Sequence, residues 1–86
     1  MRFPTKQVFQ AWLKTKRRRK FTIDSCHCPL SVMSGMAVGC FTYAVTKGPA
    51  VTYRKMPKWA TAFVRELPVG VEMTGHEAYK RGFGGA

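Results

Sequence analysis

The stretch MAVGCFTYAVTKGPAVTYRKM, residues 36–56, decides the fold class of this chain. Both of its halves are rich in Val, Tyr, Phe and Thr, the residues that favour β-strands. Between the halves stands the tripeptide KGP at 47–49, which is a strong turn signal. The pattern therefore predicts an antiparallel β-hairpin.

Helical patterns flank the hairpin on both sides. Before it, PTKQVFQAWLKT at 4–15 places apolar residues on one stripe, and CPLSVMSG at 28–35 has a proline at its first helical position and a final glycine. FTID at 21–24 suits a short strand or an extended link. After the hairpin, PKWATAFVREL at 57–67 repeats apolar residues at helical spacing, and MTGHEAYKR at 73–81 contains a capping box.

These elements predict one small α+β domain that spans residues 1–86. In it, an antiparallel β-hairpin is packed by two main helices and two short helices. A chain of 86 residues buries only about 60–65 % of the surface that its unfolded form exposes, so the core is small. A basic segment at 14–20 belongs to the domain, and the C-terminal tail at 82–86 is expected to be frayed.

The charge of the chain is strongly one-sided. Fifteen Lys and Arg residues oppose four acids, which gives a net charge of +11. So few acids cannot pair the cations in salt bridges, and the excess favours polyanionic partners: nucleic acid, an acidic protein face or an anionic membrane surface. A membrane role is disfavoured because the first helix needs its apolar face for the core.

Six of the cations fall within the seven positions 14–20, directly after the first helical pattern. Such a run can neutralise several phosphates and release their counterions. A second group of cations lies where the hairpin meets the third helix, and Tyr53 beside it could stack on an unpaired base. The candidate residues for binding nucleic acid or another polyanion are Lys14, Lys16, Arg17, Arg18, Arg19, Lys20, Arg54, Lys55 and Lys58.

The basic run carries none of the familiar sequence-reading motifs. It has no helix-turn-helix signature, no aromatic RNP block and no GXXG loop. Phosphate contacts position a protein without reading bases, so we expect binding with little selectivity, and the choice between DNA and RNA stays open. The alternative is a solvated loop that only keeps the protein soluble. Ordinary surface charge is mixed in sign, however, and this run is not.

The tripeptide Cys26-His27-Cys28 raises the question of a metal site. Structural zinc usually takes four ligands in two pairs, and only Cys40 and His76, both single, could complete this set. In an extended backbone the two cysteines point one way and the histidine the other, so the three would not converge. We therefore predict no metal and no cofactor, with both cysteines buried and the histidine facing solvent.

The residues do not predict an enzyme either. A cysteine nucleophile needs a base held against the thiol and a third group that orients the base. The four acids are scattered and form no evident acid–base pair.

The cellular setting is expected to be reducing and cytoplasmic. Three cysteines cannot form a closed set of disulfides, and the N-terminal cations are not followed by the apolar run of a secretory signal. The longest apolar stretch falls far short of the roughly 20 residues of a membrane span.

Four groups of core and cap positions form a further pattern: Phe9-x-x-Trp12-Leu13, Cys28-Pro29-Leu30, Trp59-Ala60-x-x-Phe63-Val64 and Thr74-Gly75-x-Glu77-Ala78. Together they resemble uncharacterised small proteins of bacteriophages and mobile elements. Ser31 departs from the alanine expected after Cys-Pro-Leu, and the basic run is not part of the likeness. The resemblance implies no activity, cofactor or site. It implies a phage source, and hence the cytoplasm of a bacterial host.

Two functions from different classes follow. The first is a non-catalytic, strongly basic protein that contacts nucleic-acid phosphates with little sequence selectivity. The alternative is a phage-encoded inhibitor, comparable to an anti-CRISPR protein, that binds a host defence or nucleic-acid-handling complex through the same basic surface. A pure nucleic-acid binder should place aromatic residues among its cations, and the main run is followed only by Phe21. The oligomeric state stays open.

Overall fold

Four helices and two antiparallel two-stranded sheets make up residues 3–84, the part of the chain that the structure, a computed structural model, describes. In chain order the elements are α1 (Lys6–Thr15), β1 (Lys20–Thr22), α2 (Pro29–Ser34), β2 (Thr42–Lys47), β3 (Ala50–Lys55), α3 (Lys58–Arg65), β4 (Glu72–Thr74) and α4 (Gly75–Phe83). The predicted α+β class is therefore confirmed. None of the helices in these residues is long and apolar enough to cross a membrane.

Helix α1 begins at a side-chain cap, Thr5, one residue after the predicted start. The hydroxyl of Thr5 accepts the N–H of Val8 at 3.3 Å, which makes Thr5 the N-cap and leaves Pro4 outside the helix. Within the helix, Phe9 and Leu13 lie four residues apart and are fully buried. The predicted start at residue 4 was therefore early, because a hydroxyl can satisfy a free N–H and a proline ring cannot.

Helix α2 follows the prediction closely. Cys28 is its N-cap, Pro29 its first residue, and Gly35 ends it in the left-handed conformation with φ 72°. Ser31, which departs from the expected alanine, is buried and donates its hydroxyl to the carbonyl of Met36 at 2.7 Å. The buried hydroxyl therefore has a hydrogen-bond partner, and its burial does not leave an unpaired polar group in the core.

The first of the two sheets joins distant parts of the chain. Strands β1 and β4 pair antiparallel, with Phe21 opposite Met73, and both of these side chains are buried. The sequence left β1 open and did not indicate β4. Strands of three residues are too short for an alternating pattern to be recognised.

The part of the core that lies between α1, α3 and α4 is rich in aromatic rings. The ring of Phe9 meets that of Phe63 edge-on at 5.0 Å between centroids. Ala60 and Ala78 are fully buried beside them. A β-carbon at Gly82 would overlap the ring of Phe63, so α4 approaches α3 closely at this point. Small residues thus let the helices close around the rings.

The end of α4 differs from the frayed tail predicted for 82–86. The helix includes Gly82 and Phe83, and the Phe83 ring lies 4.8 Å from that of Phe63. Gly84 then ends the helix with φ 61°. The prediction was wrong at 82 and 83 because packing of one aromatic ring holds the last turn. Its final two positions, 85 and 86, lie outside the described residues.

The predicted hairpin is formed by β2 and β3, with Thr42 opposite Lys55 and Lys47 opposite Ala50. Its first strand starts later than the β-rich stretch suggested, because the chain turns back before it: the N–H of Gly39 donates to the carbonyl of Thr42 at 2.8 Å. Every residue of β3 is exposed. The helices therefore pack mainly against one another, and the hairpin projects beside them.

Candidate nucleic-acid interface

The basic run connects α1 to β1. Lys14 lies on the last turn of α1, Lys16 is its C-cap, Arg17 and Arg18 occupy the turn that follows, and Lys20 opens β1. Five of the six cations of the run are exposed, and Lys16 is half-buried. The positive groups at this end also complement the negative end of the helix dipole. The run is thus presented to solvent as a short, ordered turn.

Helix α4 holds the backbone of this turn. The N–H of Gly75 donates to the carbonyl of Arg19 at 2.9 Å, and the N–H of His76 donates to that of Arg17 at 3.1 Å. A β-carbon at Gly75 would overlap the carbonyl oxygen of Lys16, so only glycine permits this approach. Because the backbone is already fixed, less ordering entropy is lost when the side chains bind a partner.

The N-terminus of α4 itself is not available to an anion. Two of its N–H groups serve the basic turn, and a third, that of Glu77, donates to the hydroxyl of Thr74 at 3.2 Å. The carboxylate of Glu77 accepts the N–H of Thr74 in return, which completes the predicted capping box. These donors, first the N–H and then the hydroxyl of Thr74, hold the pKa of Glu77 below its ordinary value. An anion at this surface would therefore be bound by side chains and not by the backbone N–H groups of α4.

Two clefts open beside the turn and share residues. The larger has a volume of about 650 Å³ and is lined by Leu13, Lys14, Arg17, Gly75, His76, Tyr79 and Lys80. The smaller has about 420 Å³ and is lined by Arg17, Arg18, Thr74 and His76. We call the two together the basic cleft, since Arg17 and His76 line both. No carboxylate occurs among these lining residues of the described chain.

Three cations of the run lie over aromatic rings. The pairs, with distances to the ring centroid, are Lys14 over Tyr79 at 5.5 Å, Lys16 over Trp12 at 6.0 Å and Arg19 over Phe21 at 5.2 Å. Cation–π contacts of this kind are modestly attractive at exposed sites. The structure thus adds Trp12 and Tyr79 to the single aromatic residue that the sequence placed near the run.

Among the described residues, one acid contacts the run. The ammonium of Lys20 lies 3.8 Å from a carboxylate oxygen of Glu72, and both side chains are largely exposed. Exposed pairs of this kind contribute little and exchange readily with other partners. Glu72 therefore leaves the charge of the run nearly intact.

Sequence reasoning missed the half of the cleft that α4 supplies. His76, Tyr79 and Lys80 stand at positions i, i+3 and i+4, and so lie on one face of that helix. This spacing could have been read from the sequence as a basic and aromatic face. That the face meets the basic run depends on the packing of α4 against α1, which no local pattern reveals.

The second predicted group of cations lies elsewhere. Arg54 and Lys55 are exposed on β3, and Lys58 is exposed at the start of α3. Arg54 is opposite Tyr43, whose ring stacks on Phe3, just before α1, at 4.4 Å. The basic cleft adjoins the other end of α1, about 15 Å along a helix of ten residues. The structure therefore separates the two groups.

The tripeptide at 26–28 forms part of a turn around Asp24. The Asp24 carboxylate accepts the N–H of Cys26 at 2.9 Å and that of His27 at 2.6 Å, and the Nδ1 atom of His27 lies 2.8 Å from both carboxylate oxygens. These contacts, led by the Cys26 N–H, hold the pKa of Asp24 below its ordinary value. The backbone here is curled around a carboxylate instead of extended.

This turn corrects one of the predictions for the cysteines. Cys28 is buried and His27 exposed, as expected, but Cys26 is exposed, because the turn points it away from the core. Cys40 is also exposed. Among residues 3–84, no three Cys, His, Asp or Glu side chains come together in a group that could hold a metal ion.

The thiols show no catalytic arrangement within the described residues. Burial raises the pKa of the Cys28 thiol, which makes it a poor nucleophile. Cys26 has a contact with the hydroxyl of Ser25 at 3.8 Å, and no hydrogen bond in the described chain joins a cysteine sulfur to a histidine ring. The absence of an enzymatic role nevertheless stays a prediction.

Comparisons with known protein families, with curated proteins and with solved structures found no match for this chain. The resemblance to small phage proteins therefore stays a prediction as well. The geometry of the basic cleft is what remains to indicate a function.

Proposed function

We propose that this chain is a non-catalytic basic protein that binds nucleic acid through its phosphates, with little sequence selectivity. The contacts are made by the run Lys14–Lys20, extended by Lys80 and His76 of α4. The single observation that carries the proposal is the basic cleft: cations from two elements line adjoining openings from which carboxylates are absent among the described residues.

Electrostatics supports phosphate as the ligand. A guanidinium presents donors in a planar fork that matches a phosphate, and Arg17 and Arg18 are adjacent and exposed. A run of like charges raises the local concentration of any polyanion and speeds its association. With the acid Glu72 paired only loosely to Lys20, the attraction is not cancelled at close range.

Low selectivity follows from the shape of the surface. A base-reading protein inserts a helix or a ribbon into a groove and aims amide or guanidinium groups at base edges. Here the cations project from a turn whose backbone is hydrogen-bonded to α4. The two helices that contact the turn, α1 and α4, both contribute residues to the core. The turn can follow a phosphate backbone without entering a groove deeply.

A salt titration of the intact protein tests this proposal. If all six cations of the run contact duplex DNA, the affinity falls with a log–log slope of about −5 against salt concentration. Two unrelated duplexes of equal length should bind with affinities within about threefold of each other. Absence of binding at about 50 mM salt, or a slope close to zero, would rule the proposal out.

A second candidate is an inhibitor that binds a host protein complex, and one observation favours it. Phe41 and Tyr53 are 63 % and 71 % exposed near or on the projecting hairpin, and Val51 is 51 % exposed. Aromatic residues together with Arg are enriched at protein interfaces, and Arg54 follows Tyr53 directly. The hairpin would then make the protein contact while the run occupies an acidic surface of the same partner.

A pull-down from nuclease-treated bacterial lysate separates the two candidates. A protein contact predicts a defined complex that survives the nuclease and is lost when Tyr53 and Phe41 are replaced by serine. Loss of every partner on nuclease treatment would exclude the inhibitor and leave the nucleic-acid binder.

A further inference from the structure

We propose that the basic cleft takes an unpaired nucleotide of a single strand, with its base on the ring of Tyr79 and its phosphates on the surrounding cations. This inference rests on the proposed binding of nucleic acid and names the form of it that the cleft accepts. It predicts a preference for single strands over duplex that depends on one aromatic residue.

The size and lining of the cleft suit a nucleotide. Its larger part measures about 650 Å³, within the range of roughly 300–1,000 Å³ that small-molecule sites occupy. The half-buried ring of Tyr79 forms an accessible apolar part of the wall, whereas Leu13 is fully buried and offers no surface to a ligand. A base has two apolar faces and a charged backbone on one side, and the cleft offers both kinds of surface.

Tyr79 is held well enough to serve as a platform. Its side chain is half-buried, and its ring lies 5.1 Å from that of Phe83, which itself packs against Phe63. A ring fixed in this way loses little entropy on stacking. Tyr53, the stacking residue suggested by the sequence, is 71 % exposed on the hairpin. Tyr79 is therefore the better placed of the two.

The ammonium of Lys14 marks the open side of the ring. It lies 5.5 Å from the ring centroid of Tyr79, on a side chain that is exposed and long enough to swing away. A base that arrives on this side takes the place of the ammonium, which then pairs with a phosphate of the same nucleotide. Lys80 and Arg17 line the same opening, and Arg18 lies in the adjoining one for the next phosphate.

A duplex cannot use this platform. In a duplex each base face is covered by its neighbours, and only phosphates and groove edges are accessible to a side chain. An unpaired strand presents its base faces freely, and stacking tolerates any base. The run Lys14–Lys20 therefore contributes to both forms, and Tyr79 contributes to the single strand alone.

The variants Y79L and Y79F test whether Tyr79 contributes to the binding of a single strand and not to that of a duplex. Leucine keeps apolar volume against Phe83 but removes the π face, and phenylalanine keeps the ring. We expect Y79L to bind a short oligothymidylate about tenfold more weakly than the wild type, with its affinity for duplex of the same length changed less than about twofold. Y79F should bind both as the wild type does. Equal losses for strand and duplex, or none for the strand, would overturn the inference.

A measurement on the unmodified protein covers the event that Y79L fails to fold. An abasic strand of the same length carries the same phosphates without bases, and we expect it to bind about tenfold more weakly than the oligothymidylate. Equal affinities for the two strands would overturn the inference. Binding of duplex with the expected salt slope, but without any effect of bases, would reject the unpaired nucleotide and keep the proposed function. Failure to bind strand and duplex alike would reject both.

Discussion

Replacing Arg17 and Arg18 with alanine removes the two cations that stand at the centre of the basic cleft. Both side chains are exposed, Arg17 lines both parts of the cleft, and Arg18 lines the smaller part. No side-chain hydrogen bond or ion pair of either arginine occurs within residues 3–84. The double variant should therefore keep the stability of the wild type within about 0.5 kcal/mol, as surface substitutions usually do.

The expected loss of binding follows from counterion release. Each phosphate contact with duplex DNA contributes about 0.9 to the log–log salt slope, so loss of two contacts lowers its magnitude by about 1.8. If the counterion term vanishes near 1 M salt, the affinity falls about 200-fold at 50 mM salt and about 20-fold at 200 mM. The loss should thus shrink about tenfold over this range of salt.

Fluorescence anisotropy of a labelled duplex, titrated at several salt concentrations, measures both the affinity and the slope. The matched control replaces Lys47 and Arg65, which are exposed at the ends of β2 and α3, with alanine. The control removes the same net charge away from the cleft. We expect it to lose at most about threefold at 50 mM salt, since neither residue lines the cleft and salt screens charges that do not contact the nucleic acid.

The comparison between the two double variants shows whether the cleft or net charge alone attracts the nucleic acid. Equal losses in both would mean that net charge alone attracts the nucleic acid and that the cleft has no special part. A large loss in R17A/R18A with an unchanged salt slope would also refute the reasoning, because it would assign the loss to something other than phosphate contacts.

Three further predictions concern the stability of the fold. In urea unfolding, G75A should lose about 1–3 kcal/mol of stability, because its β-carbon overlaps the carbonyl of Lys16 in the basic turn. The control G39A should stay close to the wild type, because the nearest neighbour of its β-carbon lies at an ordinary 3.5 Å. F83A should lose about 2 kcal/mol, because the half-buried ring anchors the last turn of α4; an unchanged midpoint would restore the frayed tail. The pKa of Asp24 is lowered in the folded state, so its contribution to stability is present above its unfolded pKa and is lost as the pH falls below about 4. D24N should accordingly be less stable than the wild type at pH 6, and the difference should vanish in acid; a constant difference at all pH values would contradict the assignment.

Local chemistry explains the parts of the fold that the sequence predicted well. The turn at Gly48 depends on a single residue with φ 62°, and the capping box of α4 depends on Thr74 and Glu77 three positions apart. Both signals are contained in a few neighbouring residues. Packing can therefore adjust their surroundings without changing them.

Some of the errors arise from contacts between residues far apart in the sequence, and others from local hydrogen bonds to a side chain, such as that of Thr5 with Val8. Phe83 is ordered because it reaches the ring of Phe63, twenty residues earlier. Cys26 is exposed because the Asp24 carboxylate curls the chain, although an extended backbone would have buried it. The pairing of β1 with β4 joins segments about fifty residues apart and leaves almost no local pattern.

The candidate site was likewise predicted only in part from the sequence. The run at 14–20 is visible as composition, and its exposure follows from charge alone. The contribution of Tyr79 and Lys80 required the contact of α4 with the basic turn, where Gly75 permits the approach. The sequence suggested Tyr53 as the stacking residue because it adjoins cations along the chain. Tyr79 meets the basic run only in the folded protein.

We propose above that the cations at 14–20, together with Lys80 and His76 of α4, receive the phosphates of a nucleic acid. Amide chemical shifts of the isotope-labelled protein, followed by NMR as a short oligonucleotide is added, test this claim residue by residue. We expect the largest changes at 14–20 and at 74–80, and we expect them to weaken as salt is raised. Changes confined to the hairpin at 42–55, or a spectrum that the oligonucleotide leaves unaltered, would contradict it.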